Sequence, residues 1–363
     1  MKKILIGTTA LVAAGMITGS ASAAEAMKVG VSGYQHVYLV YGSQNDALGE
    51  AAANERNHGI SKEGEVHFKA STTMDNGIKV GWEAEMEAEA GTQDENYIWF
   101  EGGFGRVTVG SYWGPSLLMG HNAPSAAPSW GNFGNINPAT RPANSTITNF
   151  GANSNQVITF KDNKIAYYTP TIGPGVKIGV AYTPDIGQGK NTNGGFEQDT
   201  GNDHGSAYEA SIELKTKIGG GSLGANLNYV KAKQETQTNG ADDRTGWAVG
   251  MDVSMGAFTV GFGYMTDDEG VTTDSNEKQY TIGAAYSTGP WKVAVQYGSG
   301  EDENGGGGVA DEVTMMMMSA AYSWGPGVTL AAGIQTHDYQ DGGNVAADEN
   351  KSNVAFIGTA LSF

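Results

Sequence analysis

The sequence predicts an all-β fold, a transmembrane antiparallel β-barrel of sixteen strands. Three observations support this prediction. Apolar and polar residues alternate with a period of two, short turns alternate with long loops, and aromatic residues gather at both ends of the strands. An even strand count, with short turns at one end and long loops at the other, is typical of barrels in bacterial outer membranes.

The segment 78–90 shows the alternation most clearly. Every second residue from Ile78 onward is apolar, and the residues between them include Glu83, Glu85, Glu87 and Glu89. Successive side chains of a strand point to opposite faces, so one face of this segment is apolar and the other is acidic. A helix would scatter both series around its circumference. The same pattern predicts strands at 208–218, 247–253, 258–264, 280–286, 291–297 and 328–335.

The connections fix the number of strands. Tight turns rich in Gly, Asn and Pro are predicted at 75–77, 103–105, 171–175, 219–221, 254–256, 288–290 and 325–327. Seven hairpins contain fourteen strands, and one further strand at each end, about 28–41 and 353–363, makes sixteen. The first and last strands can pair and close the sheet. Longer polar connections on the other side include 91–96 and the longest, 113–160.

The aromatic residues sort to the two ends of these strands. Those at the long-loop ends are Tyr182, Tyr208, Tyr229, Trp247, Tyr264, Tyr280 and Tyr297. Those at the short-turn ends are Phe104, Phe258, Tyr286, Trp291, Tyr322 and Phe363. Membrane barrels carry such aromatic girdles at both interfaces. A soluble β-sandwich, the alternative fold, would leave this sorting unexplained.

Composition narrows the class of protein further. The 363 residues carry 39 Asp and Glu against 21 Lys and Arg, for a net charge of −18, and contain no Cys. The absence of Cys excludes disulfides and thiolate metal sites, and the negative charge disfavours nucleic acid as a partner. The 55 glycines serve the turns and the inward face. There Gly81, Gly250, Gly261 and Gly283 are expected to let the strands curve and to keep the interior open.

The amino terminus has the layout of a secretory signal peptide. Lys2 and Lys3 precede an uncharged apolar segment, 4–19, and Ala21-Ser22-Ala23 supplies small residues for cleavage. A membrane anchor is the alternative, but the apolar segment is shorter than the ~20 residues that a spanning helix needs. We therefore predict a signal peptide at 1–23, export from the cytoplasm, and a barrel domain at 24–363.

Three segments carry a resemblance to a known family. Tyr97–Gly110 looks like the hairpin of the fourth and fifth strands of Gram-negative general diffusion porins, and Asn163–Pro170 looks like their sixth strand. The end of the chain, from Ala355 to Phe363, resembles their C-terminal strand. The resemblance implies a homotrimer in the outer membrane, in contact with lipid and lipopolysaccharide. It also implies a third loop folded into the pore and a Phe363 that the barrel assembly machinery reads.

A barrel of sixteen strands encloses water, so small hydrophilic solutes and ions could diffuse through it passively. Selectivity would then depend on the radius and the charges at the narrowest point. The connection 113–160 is the candidate constriction loop, and it has no Asp or Glu before Asp162. Its candidate residues are His121, Trp130, Phe133 and Arg141. The resembled porins place carboxylates on this loop and arginines on the wall, and here Ala166 stands where they often have Arg.

The wall supplies the remaining candidates. The residues predicted to line the pore are Glu63, Glu65, His67, Lys69, Glu83, Glu85, Glu87, Arg106, Lys164 and Tyr168. An acidic wall that faces an acid-free loop predicts cation selectivity. The alternative is that these glutamates are ordinary solvated residues of the lumen or its mouth.

Two further features leave alternatives open. Acidic clusters in the long loops, such as Asp267-Asp268-Glu269 and Glu301-Asp302-Glu303, could bind Ca²⁺ or Mg²⁺ or could simply be solvated. No other cofactor is expected. In the run Met315 to Met318, a strand would turn Met316 and Met318 outward, and the other two would be a greasy lumen patch or filler.

The sequence leaves two other functions open and disfavours a third. Trp99, Trp130 and Phe133 could stack a sugar in a substrate-specific channel, and a closed structural or adhesive barrel is a third possibility. An enzyme is disfavoured because no G-x-S-x-G surrounds any serine and no H-E-x-x-H occurs.

Overall fold

The described residues of the computed structural model form one closed antiparallel barrel of sixteen strands. They are residues 26–129, 139–142, 158–187, 204–235, 242–271, 275–303, 310–343 and 345–363. Each strand pairs with its neighbours in sequence, and the first pairs with the last. The predicted fold class, strand count and seven tight turns are confirmed. No helix among these residues is long and apolar enough to span a membrane.

The two strands that flank the long inward connection, of 7 and 6 residues, are the shortest of the sixteen. They are β1 Lys28–Ser43, β2 His58–Thr73, β3 Lys79–Glu87, β4 Gln93–Gly102, β5 Gly105–Ser111, β6 Asn163–Tyr168, β7 Val176–Asp185, β8 His204–Ile218, β9 Gly221–Gln234, β10 Arg244–Met255, β11 Phe258–Asp267, β12 Glu277–Thr288, β13 Trp291–Asp302, β14 Asp311–Gly325, β15 Val328–Gln340 and β16 Asn350–Ser362. A single helical turn, α1 Pro115–Leu118, follows β5, and a 3₁₀ turn, Ala346–Asp348, precedes β16.

Burial alternates along the strands and distinguishes the two faces of the sheet. In β8, Glu209, Ser211 and Glu213 are buried, whereas Tyr208 and Ile212 are exposed large hydrophobic residues. Such exposed side chains cover the outside of the barrel, as expected of a face that contacts lipid. In β14, Met316 and Met318 are outward and exposed, and Met315 and Met317 are inward and buried. The two inward methionines are therefore packed filler and not an open greasy patch.

The aromatic girdles consist of rings that pack in pairs across neighbouring strands. At the long-loop end the pairs are Tyr182 with Tyr208, Trp247 with Tyr264 and Tyr280 with Tyr297. At the short-turn end they are Phe258 with Tyr286 and Trp291 with Tyr322. The ring centroids of these pairs lie 4.7 to 6.0 Å apart. Tilted contacts at such distances are favourable, so the girdles also stabilise strand pairing.

Two boundaries differ from the sequence expectation. β3 ends at Glu87, so Glu89 does not continue the inward acidic series. Its carboxylate instead accepts bonds from the Gln35 side chain (3.2 Å) and the Gly64 amide (3.1 Å). The segment 91–96 is not all loop, because β4 begins at Gln93 and takes in Asp94 and Glu95. Residues 91–96 are mostly polar and do not alternate, which is typical of a loop. Pairing with β3 nevertheless extends β4 back to Gln93.

Candidate functional site: the lumen and its inward loop

The chain turns into the barrel after β5 and begins its path with α1. Pro115 occupies the first turn of α1, where its missing amide hydrogen costs nothing. The amide (3.1 Å) and the hydroxyl (2.5 Å) of Ser116 both donate to Glu209 on β8. The carbonyl of Ser116 accepts a bond of 2.6 Å from Asn228 on β9. The start of the loop is thus fixed to the inner wall at β8 and β9.

His121 attaches the middle of the described loop to three strands. Its amide donates to Asn226 on β9 (2.7 Å), Nε2 lies 3.4 Å from Glu213 on β8, and Nδ1 bonds Asp252 on β10. Burial alone would lower the pKa of His121. The hydrogen bonds and charges of Asp252 and Glu213 outweigh burial and raise that pKa to about 9. The imidazole is therefore a cation at neutral pH, held between two carboxylates.

Farther along, the loop reaches the lumen face of β14 and β1. The amide of Ala126 lies 3.3 Å from the Ser319 hydroxyl on β14, and the Tyr38 hydroxyl on β1 donates to the carbonyl of Pro128 at 2.7 Å. Ala126 belongs to a buried apolar cluster with Met315 and Met317. The predicted inward folding of the third loop is confirmed for residues 113–129.

Glycines on the inner face make room for this path. A Cβ atom at Gly224 or Gly250 would collide with His121, and one at Gly261 would collide with Asn122. These glycines do more than keep the interior open, because the loop backbone occupies the space that their side chains would fill.

The loop leaves the lumen beside the place where it enters. Lys164 on β6 donates to the carbonyls of Tyr112 (2.7 Å), Phe160 (2.8 Å) and Asp162 (2.8 Å), and only 3% of it is exposed. Tyr168 is likewise buried, in a cluster that contains Tyr112. Both residues face inward as expected, but the loop ends cover them. The prediction that Lys164 and Tyr168 line the open pore is therefore corrected, because the ends of the loop lie between these side chains and the lumen.

Strands β2 to β4, on the other side of β5, carry a group of inward carboxylates that we call the acidic wall. It consists of Glu63, Glu65, Glu83, Glu85, Glu87, Asp94 and Glu95, on β2, β3 and β4. Lys69 pairs with Glu83, Lys161 from the end of the loop pairs with Asp94, and His36 lies 3.2 Å from Glu63.

The remaining predicted site residues lie away from the acidic wall or outside the described residues. Arg106 stands near a short turn, 4.6 Å from the centroid of the Trp99 ring and 4.0 Å from Glu101. Arg141 is exposed, and its neighbour Thr140 contacts Asn350 at the long-loop end of β16. Trp130 and Phe133 fall outside the described residues.

Several functional residues escaped the sequence analysis. Asp94 and Glu95 of the acidic wall lie in the segment 91–96, whose sequence predicts a loop. Glu209 and Glu213 were visible on the polar series of 208–218, and this alternation could have found them, but no pattern revealed that the loop would cover them.

The acidic loop clusters have protein partners. Arg244 forms a bidentate pair with Asp267 at 2.9 and 2.7 Å, and Lys278 pairs with Glu303. Glu269 accepts a bond of 2.6 Å from Ser275, and burial raises the pKa of the Glu269 carboxyl. The expectation of Ca²⁺ or Mg²⁺ at these loops stays a prediction.

The family model described as Gram-negative porin matches residues 7–342 of the sequence. The chain belongs to the Gram-negative porin family. Membership places this porin in the outer membrane, as a channel through which solutes diffuse.

Solved structures share the fold at low sequence identity. An anion-selective porin from Comamonas acidovorans has a TM-score of 0.64 at 16% identity, covering 93% of this chain and 100% of its own. The outer membrane channel DcaP of Acinetobacter baumannii has a TM-score of 0.63 at 14% identity, covering 96% and 100%. Salmonella typhi OmpF, solved in complex with daunomycin, has a TM-score of 0.61 at 11% identity, covering 93% and 98%. No curated protein sequence matches the chain.

Proposed function

We propose that this porin is a cation-selective channel for the passive diffusion of ions and small hydrophilic solutes. The observation that carries the proposal is the uneven distribution of charge around the lumen. Seven carboxylates lie on the acidic wall, whereas residues 113–129 of the inward loop contain no Asp, Glu, Lys or Arg. A cation that passes between them meets negative charge on one side and, on the other, a loop whose one charged side chain, His121, is held between Glu213 and Asp252.

Reversal potentials in planar bilayers under a KCl gradient test the selectivity. We expect a reversal potential whose sign corresponds to a preference for K⁺ over Cl⁻. Replacing Glu83, Glu85 and Glu87 with Gln removes three charges from the acidic wall and should move the potential toward zero. A matched control replaces Glu55, Glu301 and Glu312, which are exposed and lie off the acidic wall, and should leave the potential unchanged. A preference for Cl⁻ in the unaltered protein would refute cation selectivity.

Assembly and export belong to the same proposal. We infer a homotrimer, in line with the trimer form in which OmpT of Vibrio cholerae, a structural neighbour at 13% identity, was solved. Residues 1–23 would direct export and be removed. The C-terminal strand, ending at Phe363, would be read by the barrel assembly machinery, and the outward face would contact lipid and lipopolysaccharide.

A substrate-specific channel is the principal rival. Trp99 lies on the inner face of β4 and could stack a sugar ring, although the Arg106 guanidinium already covers it. Saturable block of single-channel current by one sugar would favour that alternative. Swelling of liposomes in several unrelated sugars would favour the general channel, and no swelling at all would indicate a closed structural barrel. We expect no enzymatic activity.

A further inference from the structure

We propose that Glu65, His67 and Glu85 on the acidic wall form a binding site for a divalent first-row transition-metal ion such as Zn²⁺. The ligand atoms of the three side chains all lie within 4.8 Å of one another. The site goes beyond the proposed function, because cation selectivity requires negative charge on the wall but no specific metal site.

Strand pairing holds the three side chains together. His67 on β2 lies directly opposite Glu85 on β3, and Glu65 stands two residues before His67 on the same face. His67 Nε2 is 2.8 Å from Glu65 Oε2, and His67 Nδ1 is 3.3 Å from Glu85 Oε1. Ligands carried by paired strands are positioned more rigidly than ligands on loops.

The imidazole distinguishes this group from an ordinary cluster of carboxylates. A neutral imidazole has one N–H, so it can donate to only one of the two carboxylates that its ring nitrogens face. Donating to both carboxylates takes two N–H groups, so the ring must then carry a second proton. A metal ion bound by one ring nitrogen and the carboxylates would take the place of that proton.

The surrounding charges also favour a cation. In the part of the chain that the structure describes, Glu65, Glu85 and Glu95 form no ion pair with Lys or Arg, since Lys69 pairs with Glu83 and Lys161 with Asp94. Glu65 and Glu95 are each 7% exposed. Burying carboxylates without a Lys or Arg partner is costly, and a divalent ion offsets part of that cost.

The donor set selects the class of ion. Ca²⁺ and Mg²⁺ are bound by oxygen ligands, whereas imidazole combined with carboxylate suits zinc and its neighbours in the first transition row. Three protein ligands leave a coordination position for water on the lumen side, as in open zinc sites. Because the site faces the lumen, a bound ion would stand in the path of permeating K⁺.

Titration calorimetry with ZnCl₂ and, separately, with CaCl₂, on the folded protein in detergent after treatment with a chelator, tests the site. We expect one saturable Zn²⁺ site that is weakened at least about tenfold by His67→Gln and by Glu85→Gln. His58→Gln is the matched control, since His58 lies on the same strand but is exposed and bonded to Asn57. It should leave the affinity unchanged. Circular dichroism verifies that each variant folds.

Three outcomes would overturn the proposal: no saturable binding, equal affinity in His67→Gln, or equal affinity for Ca²⁺ and Zn²⁺. The last would indicate a diffuse layer of counterions on the acidic wall. In bilayers, Zn²⁺ should reduce the K⁺ current of the unaltered protein but not of His67→Gln. A barrel that carries no current before Zn²⁺ is added refutes the proposed function. A conducting barrel that Zn²⁺ neither binds nor blocks refutes the site.

Discussion

The acidic wall and the covered wall, the inner face of β8 to β14, are built from the same alternation of side chains but meet different surroundings. The acidic wall has large ionisable groups that contact one another across strands, as His67 contacts Glu65 and Glu85. The covered wall has glycines where the loop passes, and its polar groups bond the loop backbone, as Asn226 bonds the amide of His121. Small inward residues are therefore required where the loop backbone passes closest, whereas large inward residues either contact one another, as on the acidic wall, or bond the loop, as Glu209 does.

The largest expected effect comes from filling the space beneath the loop. Gly250→Val should destabilise the folded barrel by about 3 kcal/mol, because its Cβ would collide with the backbone of His121. Displacement of the loop should also raise single-channel conductance. Thermal melting in detergent and bilayer recordings measure the two effects.

The matched control is Gly30→Val on β1. A Cβ at Gly30 would approach only the carbonyl of Lys69, at an ordinary 3.7 Å, so stability should change by less than about 0.5 kcal/mol. Equal effects of Gly250→Val and Gly30→Val on stability would contradict the proposed difference between the acidic wall and the covered wall.

A smaller effect is expected from the titration of His121. Its pKa in the folded protein, about 9, lies above the ordinary value of about 6.5. Its contribution to stability is therefore fully present below about pH 6.5 and is lost as the pH rises through about 9. The groups that face it are Glu213 with the neighbouring Lys215, Asp252 and the neutral Asn226.

As His121 loses its charge above about pH 9, we expect the loop to become more mobile. Measured between pH 6 and 10, the current noise should then rise and the melting temperature should fall. His121→Gln keeps a hydrogen-bonding side chain but removes the charge, and should cost about 2 kcal/mol at pH 7. The variant should lack the alkaline loosening. An identical pH profile in the two proteins would show that His121 does not hold the loop by its charge.

The smallest effect is expected at the acidic loops. Because Asp267 and Glu303 already pair with Arg244 and Lys278, replacing Ca²⁺ with EDTA should lower the melting temperature by less than about 2 °C. If EDTA lowers the melting temperature by more than this, and Arg244→Gln makes the fall larger still, these carboxylates depend on bound divalent cations.

The barrel was predictable from the sequence because strand period, turn residues and aromatic placement are local signals. Membrane and lumen impose opposite polarities on the two faces, so residues such as Ile212 and Glu213 reveal their sides by alternation alone. Residues 113–129 were assigned to the lumen from the length of their connection and from the porin resemblance.

The candidate site was less predictable because its contacts join distant segments. Lys164 and Tyr168 alternate as lumen residues do, yet the ends of the loop bury them. Glu209 has the same local pattern as Glu85, but Ser116 and Thr159 donate hydrogen bonds to Glu209, whereas Glu85 faces His67. Nothing in a period of two reports which inward residue a returning segment will cover.

The pairing of β1 with β16 constrains the order of folding. Tyr34 lies opposite Ser362, and the amide and carbonyl of Gly33 exchange bonds of 2.9 and 3.0 Å with the final residue, Phe363. Closing the seam therefore joins segments separated by almost the whole chain, which carries a high loop-closure entropy. Until β16 pairs with β1, the sheet has two open edges, at which other chains could pair and aggregate.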